Sequence, residues 1–100
     1  MYKTTKSIKD DVTTLFIEGE INTLSSERLK EELFGIENKT VVMDLDKITY
    51  ITSAGLRIFI EYNSIMTSKG NKFVLINANS EIMDLFKITG LDNILTIETK

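Results

Sequence analysis

The chain contains no cysteine, histidine, proline or tryptophan among its 100 residues. Without cysteine there is no disulfide, no thiolate nucleophile and no cysteine-bound zinc or iron–sulfur centre. Without histidine the chain lacks the most common general base, which excludes the histidine-dependent hydrolases. Its five glycines are dispersed, so no phosphate-cradling loop of a nucleotide-binding enzyme is present. We therefore expect no enzyme activity, no cofactor and no metal site.

Basic charge and long apolar runs are also scarce. The chain has 12 Lys and Arg against 15 Asp and Glu, a net charge of −3, whereas binding to nucleic acid needs a basic patch. The apolar runs are too short to span a membrane, and no apolar signal-peptide core follows the N-terminus. The length fits one domain over residues 1–100. We expect a cytoplasmic protein that binds neither nucleic acid nor membrane.

Strand and helix patterns alternate along the chain. Short runs of β-branched and apolar residues predict the strands, and apolar residues three and four positions apart predict the helices. Strands are predicted at 2–8, 12–18, 41–45, 73–76 and 94–97, and helices at 24–36, at 54–69 and between Ser80 and Gly90. The order β-β-α-β-α-β-α-β predicts an α/β fold whose sheet is mainly parallel, with an N-terminal antiparallel hairpin and helices packed on it.

Several local features add detail to this prediction. Ser80 is expected to cap the third helix, and Asn22 or Thr23 to cap the first. The second helix is apolar on much of its surface, so Ile60 is expected in the core. A second small apolar patch at 48–51 is expected to stand apart from the strand at 41–45.

Two adjacent hydroxyls stand at the predicted start of the second helix. Thr52 and Ser53 occupy a helix N-terminus, where backbone N–H groups are free and the dipole is positive. A hydroxyl there caps the helix, and a phosphate there is favoured by the same N–H groups. Spacing alone does not separate these two interpretations. Gly55 either keeps the first turn open to a partner or reflects tight packing there. Arg57 follows one turn after Ser53, where it either contacts a phosphate or an acidic partner or simply occupies an exposed position of the helix.

Four segments in register resemble the STAS domain, the family of the anti-sigma factor antagonists. The central one joins Asp44-Leu45 to Ile48-Thr49-Tyr50-Ile51-Thr52-Ser53-Ala54-Gly55-Leu56. The others are Gly19-Glu20-Ile21-Asn22, Lys69-Gly70-Asn71-Lys72-Phe73-Val74-Leu75 and Phe86-Lys87-Ile88-Thr89-Gly90-Leu91-Asp92-Asn93-Ile94. Together they cover residues from about 12 to 98. The family fold, a β-sheet flanked by helices, agrees with the element order predicted above.

The resemblance implies a phosphorylation switch. Members of this family bind an anti-sigma factor that is also a serine kinase, and they make it release its sigma factor. The kinase phosphorylates the serine that corresponds to Ser53, and a PP2C-type phosphatase resets it. Thr52 is a second candidate acceptor. By the same resemblance, the partner-binding surface comprises Glu20, Asn22, Thr23, Thr52, Ser53, Ala54, Gly55 and Arg57.

The chain departs from the family pattern in three places. Thr52 and Asn22 stand where many members have Asp, and the usual C-terminal helix is expected to be missing. Because Thr52 replaces that acid, a second hypothesis is an interaction module of the same fold that is never phosphorylated. A third is a receiver-like switch with Asp44 as phosphoacceptor at a strand end; the alternative for Asp44 is a solvated acid that begins a turn.

Overall fold

The structure is a computed structural model that describes residues 1–98. The predicted order of strands and helices is confirmed, with a short 3-10 helix before the last strand. The strands are β1 (Tyr2–Lys9), β2 (Val12–Ile21), β3 (Thr40–Ile51), β4 (Lys72–Ile76) and β5 (Thr96–Glu98). The helices are α1 (Thr23–Phe34), α2 (Ser53–Ser68) and α3 (Ser80–Thr89), and the 3-10 helix is Leu91–Asn93.

The five strands form one sheet in the order β1-β2-β3-β4-β5. β1 and β2 pair as an antiparallel hairpin, and the other neighbours pair in parallel. The predicted mixed sheet is therefore confirmed. β2, β3 and β4 run in the same direction; β2 and β3 end together at Ile21 and Ile51, whereas β4 ends at Ile76, opposite Asp44 within β3. Helices α1 and α2 begin directly after the ends of β2 and β3, and α3 follows β4 after a short loop; we call the edge where β2 and β3 end the carboxyl edge.

The two faces of the sheet have different environments. Alternate side chains of β2, β3 and β4, namely Leu15, Ile17, Met43, Leu45, Phe73 and Leu75, are buried in one core with Leu29, Phe59, Tyr62 and Phe86 of the helices. In that core the rings of Tyr62 and Phe73 meet edge to face, 4.9 Å between centroids. The side chains that alternate with these on β2, β3 and β4, together with Thr5 of β1, point to the opposite face, which we call the open face. They are Thr5, Phe16, Glu18, Val42, Asp44, Val74 and Ile76, all exposed or half-buried.

The second apolar patch was expected to be separate from the preceding strand, and this prediction is wrong. β3 runs without a break from Thr40 to Ile51. The polar residues Asp46 and Lys47, which suggest a turn in the sequence, are accommodated by a β-bulge. Phe16 pairs with Asp44 but Glu18 pairs with Lys47, so β3 carries one extra residue there. A bulge allows adjacent polar side chains to face solvent without ending the strand.

Other local predictions were also wrong. Asn79, not Ser80, caps α3, because its Oδ1 accepts a hydrogen bond from the N–H of Ile82 at 2.9 Å. Ile60 is 37% exposed rather than buried. The last strand begins at Thr96 rather than at Ile94, since the chain first forms the 3-10 helix. Within residues 1–98 the structure shows no helix long and apolar enough to cross a membrane.

Candidate partner-binding site at the carboxyl edge

The starts of α1 and α2 lie side by side at the carboxyl edge. Ile21 and Ile51, the last residues of β2 and β3, are paired in register. The N–H of Thr52 continues this pairing and donates to the carbonyl of Ile21 at 2.9 Å. The two predicted site segments, 20–23 and 52–57, are therefore brought together at this edge of the sheet, although about thirty residues separate them in the chain.

Ser53 is the first residue of α2, and its side chain is exposed. The predicted capping role of the hydroxyl pair is wrong for this helix, because Thr52 at the N-cap makes no side-chain hydrogen bond to the first turn. First-turn N–H groups without a cap are available to water or to an anion. The structure thus combines an exposed serine hydroxyl with a helix start that favours negative charge.

Thr52 is less accessible than its neighbour. It is half-buried, and its Oγ1 donates to the carbonyl of Ile21 at 3.2 Å. Backbone and side chain of Thr52 therefore both bind the same carbonyl of β2. This holds the start of α2 against β2, and it leaves Ser53 as the more accessible of the two predicted acceptors.

Gly55 faces the interior, which agrees with the second of its two interpretations, tight packing. It is buried, and a Cβ at this position would lie 2.5 Å from Cγ2 of Ile21 and 2.9 Å from Cγ1 of Ile51. Only a residue without a side chain lets α2 come this close to the strand ends. Gly55 therefore sets the position of Ser53 from beneath the surface.

The start of α1 is closed by its own side chains. Oδ1 of Asn22 accepts hydrogen bonds from the N–H groups of Leu24 and Ser25, at 3.0 and 2.9 Å. The hydroxyl of Ser25 accepts from the N–H of Asn22 at 2.8 Å and donates to the carbonyl of Glu20 at 2.8 Å. Asn22 is thus the cap of α1, one of the two candidates predicted, and this capping box stabilises the turn beside Ser53.

The exposed part of the site is mostly polar, with two apolar side chains next to it. Exposed members of the predicted set are Glu20, Asn22, Thr23, Ser53 and Arg57, while Ala54 is half-buried. Leu24 in the first turn of α1 is 80% exposed, and Tyr50 near the end of β3 is 57% exposed. Sequence reasoning missed both. The signal was an apolar residue at an outward position next to each loop, a pattern found at interaction surfaces.

The receiver-like hypothesis requires Asp44 to lie at a strand end, and the structure contradicts this. Asp44 lies within β3, where its Oδ1 accepts from the N–H of Asp46 at 3.0 Å and its Oδ2 accepts from Nδ2 of Asn77 at 3.2 Å. A receiver-like site also needs an acidic pair near its phosphoacceptor. Asp10 and Asp11, which are adjacent in the chain, lie instead at the opposite edge of the sheet, in the β1–β2 turn, where the carbonyl of Asp11 accepts from the N–H of Thr40. These acids do not converge on Asp44.

Comparisons with known proteins identify the family of the chain and proteins of similar fold. Residues 3–100 match the STAS domain family. The chain is 29% identical to an anti-sigma-B factor antagonist of Listeria monocytogenes over 88% of its length and 80% of the relative's. It is 30% identical to the anti-sigma-B factor antagonist of Bacillus subtilis over 84% and 79% of the two lengths. The fold matches the crystal structure of an anti-sigma factor antagonist from Mycobacterium paratuberculosis with a TM-score of 0.88, at 20% identity, covering 97% and 85% of the two chains.

Proposed function

Because the chain belongs to the STAS domain family, we propose that it is a cytoplasmic anti-sigma factor antagonist controlled by phosphorylation of Ser53. In its unphosphorylated form it binds an anti-sigma factor that is also a serine kinase, and the bound sigma factor is released. The kinase then phosphorylates Ser53 and the complex separates. A PP2C-type phosphatase restores the binding form. Two relatives that carry the name anti-sigma-B factor antagonist support this proposal.

The observation that carries the proposal is the position of Ser53. Its exposed hydroxyl begins α2, and no side chain caps that helix. A phosphoryl group on Ser53 can therefore accept hydrogen bonds from first-turn N–H groups and interact favourably with the helix dipole. The kinase supplies the nucleotide, the metal and the base, so the substrate chain needs no catalytic side chain of its own.

The electrostatics of the surface explain how one phosphate acts as a switch. A phosphoserine adds about −1.5 to −2 charges, a large change for a chain of net charge −3. The added charge appears on the same edge as the exposed Glu20. A partner surface that fits the unphosphorylated edge then meets extra bulk and like charge, so binding is lost without refolding of the domain.

A second candidate function is an interaction module that is not phosphorylated. One observation favours it: Thr52, the N-cap of α2, stands where many family members have Asp, and the first turn supplies no acidic residue in its place. In that case the carboxyl edge binds its partner constitutively. Ser53→Asp then leaves partner binding unchanged, whereas the phosphorylation switch requires that this variant lose binding.

The direct test is phosphorylation by a cognate anti-sigma kinase. The full chain is incubated with kinase, ATP and Mg²⁺, and the phosphorylated peptide is sequenced by mass spectrometry. We expect one phosphate on Ser53 and none on Ser53→Ala. Ser80→Ala is the matched control, because Ser80 is the exposed first residue of α3. The absence of phosphate from both Ser53 and Thr52 would reject the proposal.

A further inference from the structure

The open face of the sheet is separate from the site at Ser53. β2, β3, β4 and β5 pair in parallel, yet the helices that share their core lie on the other face. Parallel strands are seldom left with one face bare, because their side chains are apolar on both sides. Val42, Val74 and Ile76 are half-buried on the open face, outside the core cluster. Val42 and Val74 are direct neighbours in register.

The β-bulge forms a cleft at the carboxyl end of this face. Its volume is about 410 Å³, and Phe16, Glu18, Asp44, Asp46 and Lys47 line it together with Thr5 and Ile17. Phe16 is 41% exposed, so much of its ring is available to a partner. The cleft therefore offers an aromatic surface beside charged groups at its rim.

The charges of the cleft are predominantly negative. Three carboxylates, those of Glu18, Asp44 and Asp46, line the cleft beside one ammonium group, that of Lys47. Asp44 is held in place by its bonds to the N–H of Asp46 and to Asn77. Fixed carboxylates next to an aromatic ring suit a guanidinium or ammonium group, which is attracted by both.

From this geometry we infer that the open face binds a basic amphipathic helix of a partner protein. Its apolar stripe lies along Val42, Val74 and Ile76, and one of its Arg or Lys side chains enters the cleft beside Phe16. The open stretch of β3 from Thr40 to Asp46 spans about 20 Å at 3.3 Å per residue. About 13 helical residues at 1.5 Å each match that length. The other face of the same sheet already packs against helices.

The probe is a synthetic helical peptide of about 15 residues, with Leu on one side and three Arg on the flank. Its matched control carries Glu at each Arg position. Both are titrated into the full chain labelled with ¹⁵N, and backbone amide shifts and fluorescence anisotropy are recorded. We expect saturable binding of the Arg peptide, with shifts in β2, β3 and β4, and at least tenfold weaker binding of the Glu peptide.

Variants of the chain test the cleft itself. Phe16→Thr and Asp46→Lys change exposed side chains on strands, and each is expected to weaken binding of the Arg peptide at least threefold. Glu81→Lys is the charge-matched control, since Glu81 is exposed at the start of α3, and it should bind like the parent chain. Circular dichroism checks that each variant is folded; the comparison of the two peptides on the parent chain does not depend on the variants.

Several results would overturn the inference. These are equal binding of both peptides, amide shifts confined to α1 and α2, or no saturation up to about 1 mM peptide. Sedimentation that shows a dimer of the chain, with concentration-dependent shifts on the open face, would assign this face to a second copy instead. Because Ser53 lies outside the open face, Ser53→Asp should bind the Arg peptide normally, so failure here is distinguishable from failure of the switch at Ser53.

Discussion

The starts of α1 and α2 are neighbours at the same edge, but they are built differently. At α1, Asn22 and Ser25 form a capping box that satisfies the first-turn N–H groups. At α2, the residue in the N-cap position directs its hydroxyl to the carbonyl of Ile21 instead. One helix start is therefore closed by its own side chains, and the other has no side-chain cap on its first-turn N–H groups. The difference depends on a single side chain at each N-cap.

α3 strengthens this comparison. It is capped by Asn79 and carries an exposed serine, Ser80, as its first residue. The position of Ser80 is thus equivalent to that of Ser53, but its helix start is occupied by a side-chain cap. The chain therefore contains its own controls for the proposed acceptor, and substitutions at matched positions should have unequal effects.

The largest expected effect is the loss of partner binding when an acidic residue replaces Ser53. Ser53→Asp places a negative charge where the phosphate is proposed, and we expect affinity for the anti-sigma kinase to fall about 100-fold, or about 2.7 kcal/mol. Ser80→Asp adds the same charge at the equivalent residue of α3 and should change affinity less than about twofold. Calorimetry measures both. Equal losses from the two variants would show that net charge, not position, controls binding.

The next effect concerns the close approach of α2 to the strand ends. Gly55→Ala places a Cβ within 3 Å of both Ile21 and Ile51, so α2 must shift outward. We expect a loss of about 1–3 kcal/mol in the free energy of unfolding, measured with urea. Ser64→Ala, on the exposed side of the same helix, should stay within about 0.5 kcal/mol of the parent. Unchanged stability of Gly55→Ala would contradict the tight packing.

A smaller difference in the free energy of unfolding is expected between substitutions at the two N-caps. Asn22→Ala removes the cap of α1 and should lower the free energy of unfolding by about 1 kcal/mol. Thr52→Val keeps the side-chain shape, and the carbonyl of Ile21 still accepts the N–H of residue 52, so the expected loss is below about 0.5 kcal/mol. Chemical denaturation of both variants measures the difference. A larger loss for Thr52→Val would reverse the comparison.

The smallest effect concerns the pH dependence of stability that comes from Tyr62, a tyrosine buried in the core. Burial raises the pKa of Tyr62 to about 12, so the folded chain holds the neutral phenol more strongly than the unfolded chain does. The associated stability is complete below pH 10 and is lost as pH rises towards 12. Tyr62→Phe should therefore lose less free energy of unfolding between pH 8 and 11 than the parent. Identical slopes for Tyr62→Phe and the parent would contradict the assignment.

Much of the fold could be predicted because its elements depend on local patterns. The strand at 73–76 and the helix at 54–69 carry clear periodicity, and Gly70 and Gly90 mark helix ends through positive φ angles of 72° and 76°. The error at β3 has a physical cause, since Asp46 and Lys47 resemble a turn unless the neighbouring strand is known. Only the pairing with β2 shows that a bulge accommodates them.

The place of the candidate site in the fold was predictable, but its contacts were not. A helix start at Thr52-Ser53 follows from the sequence, and the resemblance selected Ser53. That the hydroxyl of Thr52, and not that of Ser53, binds the neighbouring strand depends on the closeness of Thr52 to Ile21. These two residues are far apart in the chain. The role of Gly55 likewise depends on the side chains of Ile21 and Ile51 beneath it. Contacts of this kind are set by tertiary packing and leave no local pattern.

The most direct test of the central claim is the affinity of one sample for its anti-sigma kinase in three successive states. Calorimetry is run on the unphosphorylated chain, on the chain phosphorylated at Ser53, and on the same chain after treatment with a PP2C-type phosphatase. The account predicts that the unphosphorylated chain binds tightly, that phosphorylation lowers the affinity about 100-fold or more, and that phosphatase treatment restores it fully. Equal affinity in all three states would contradict it.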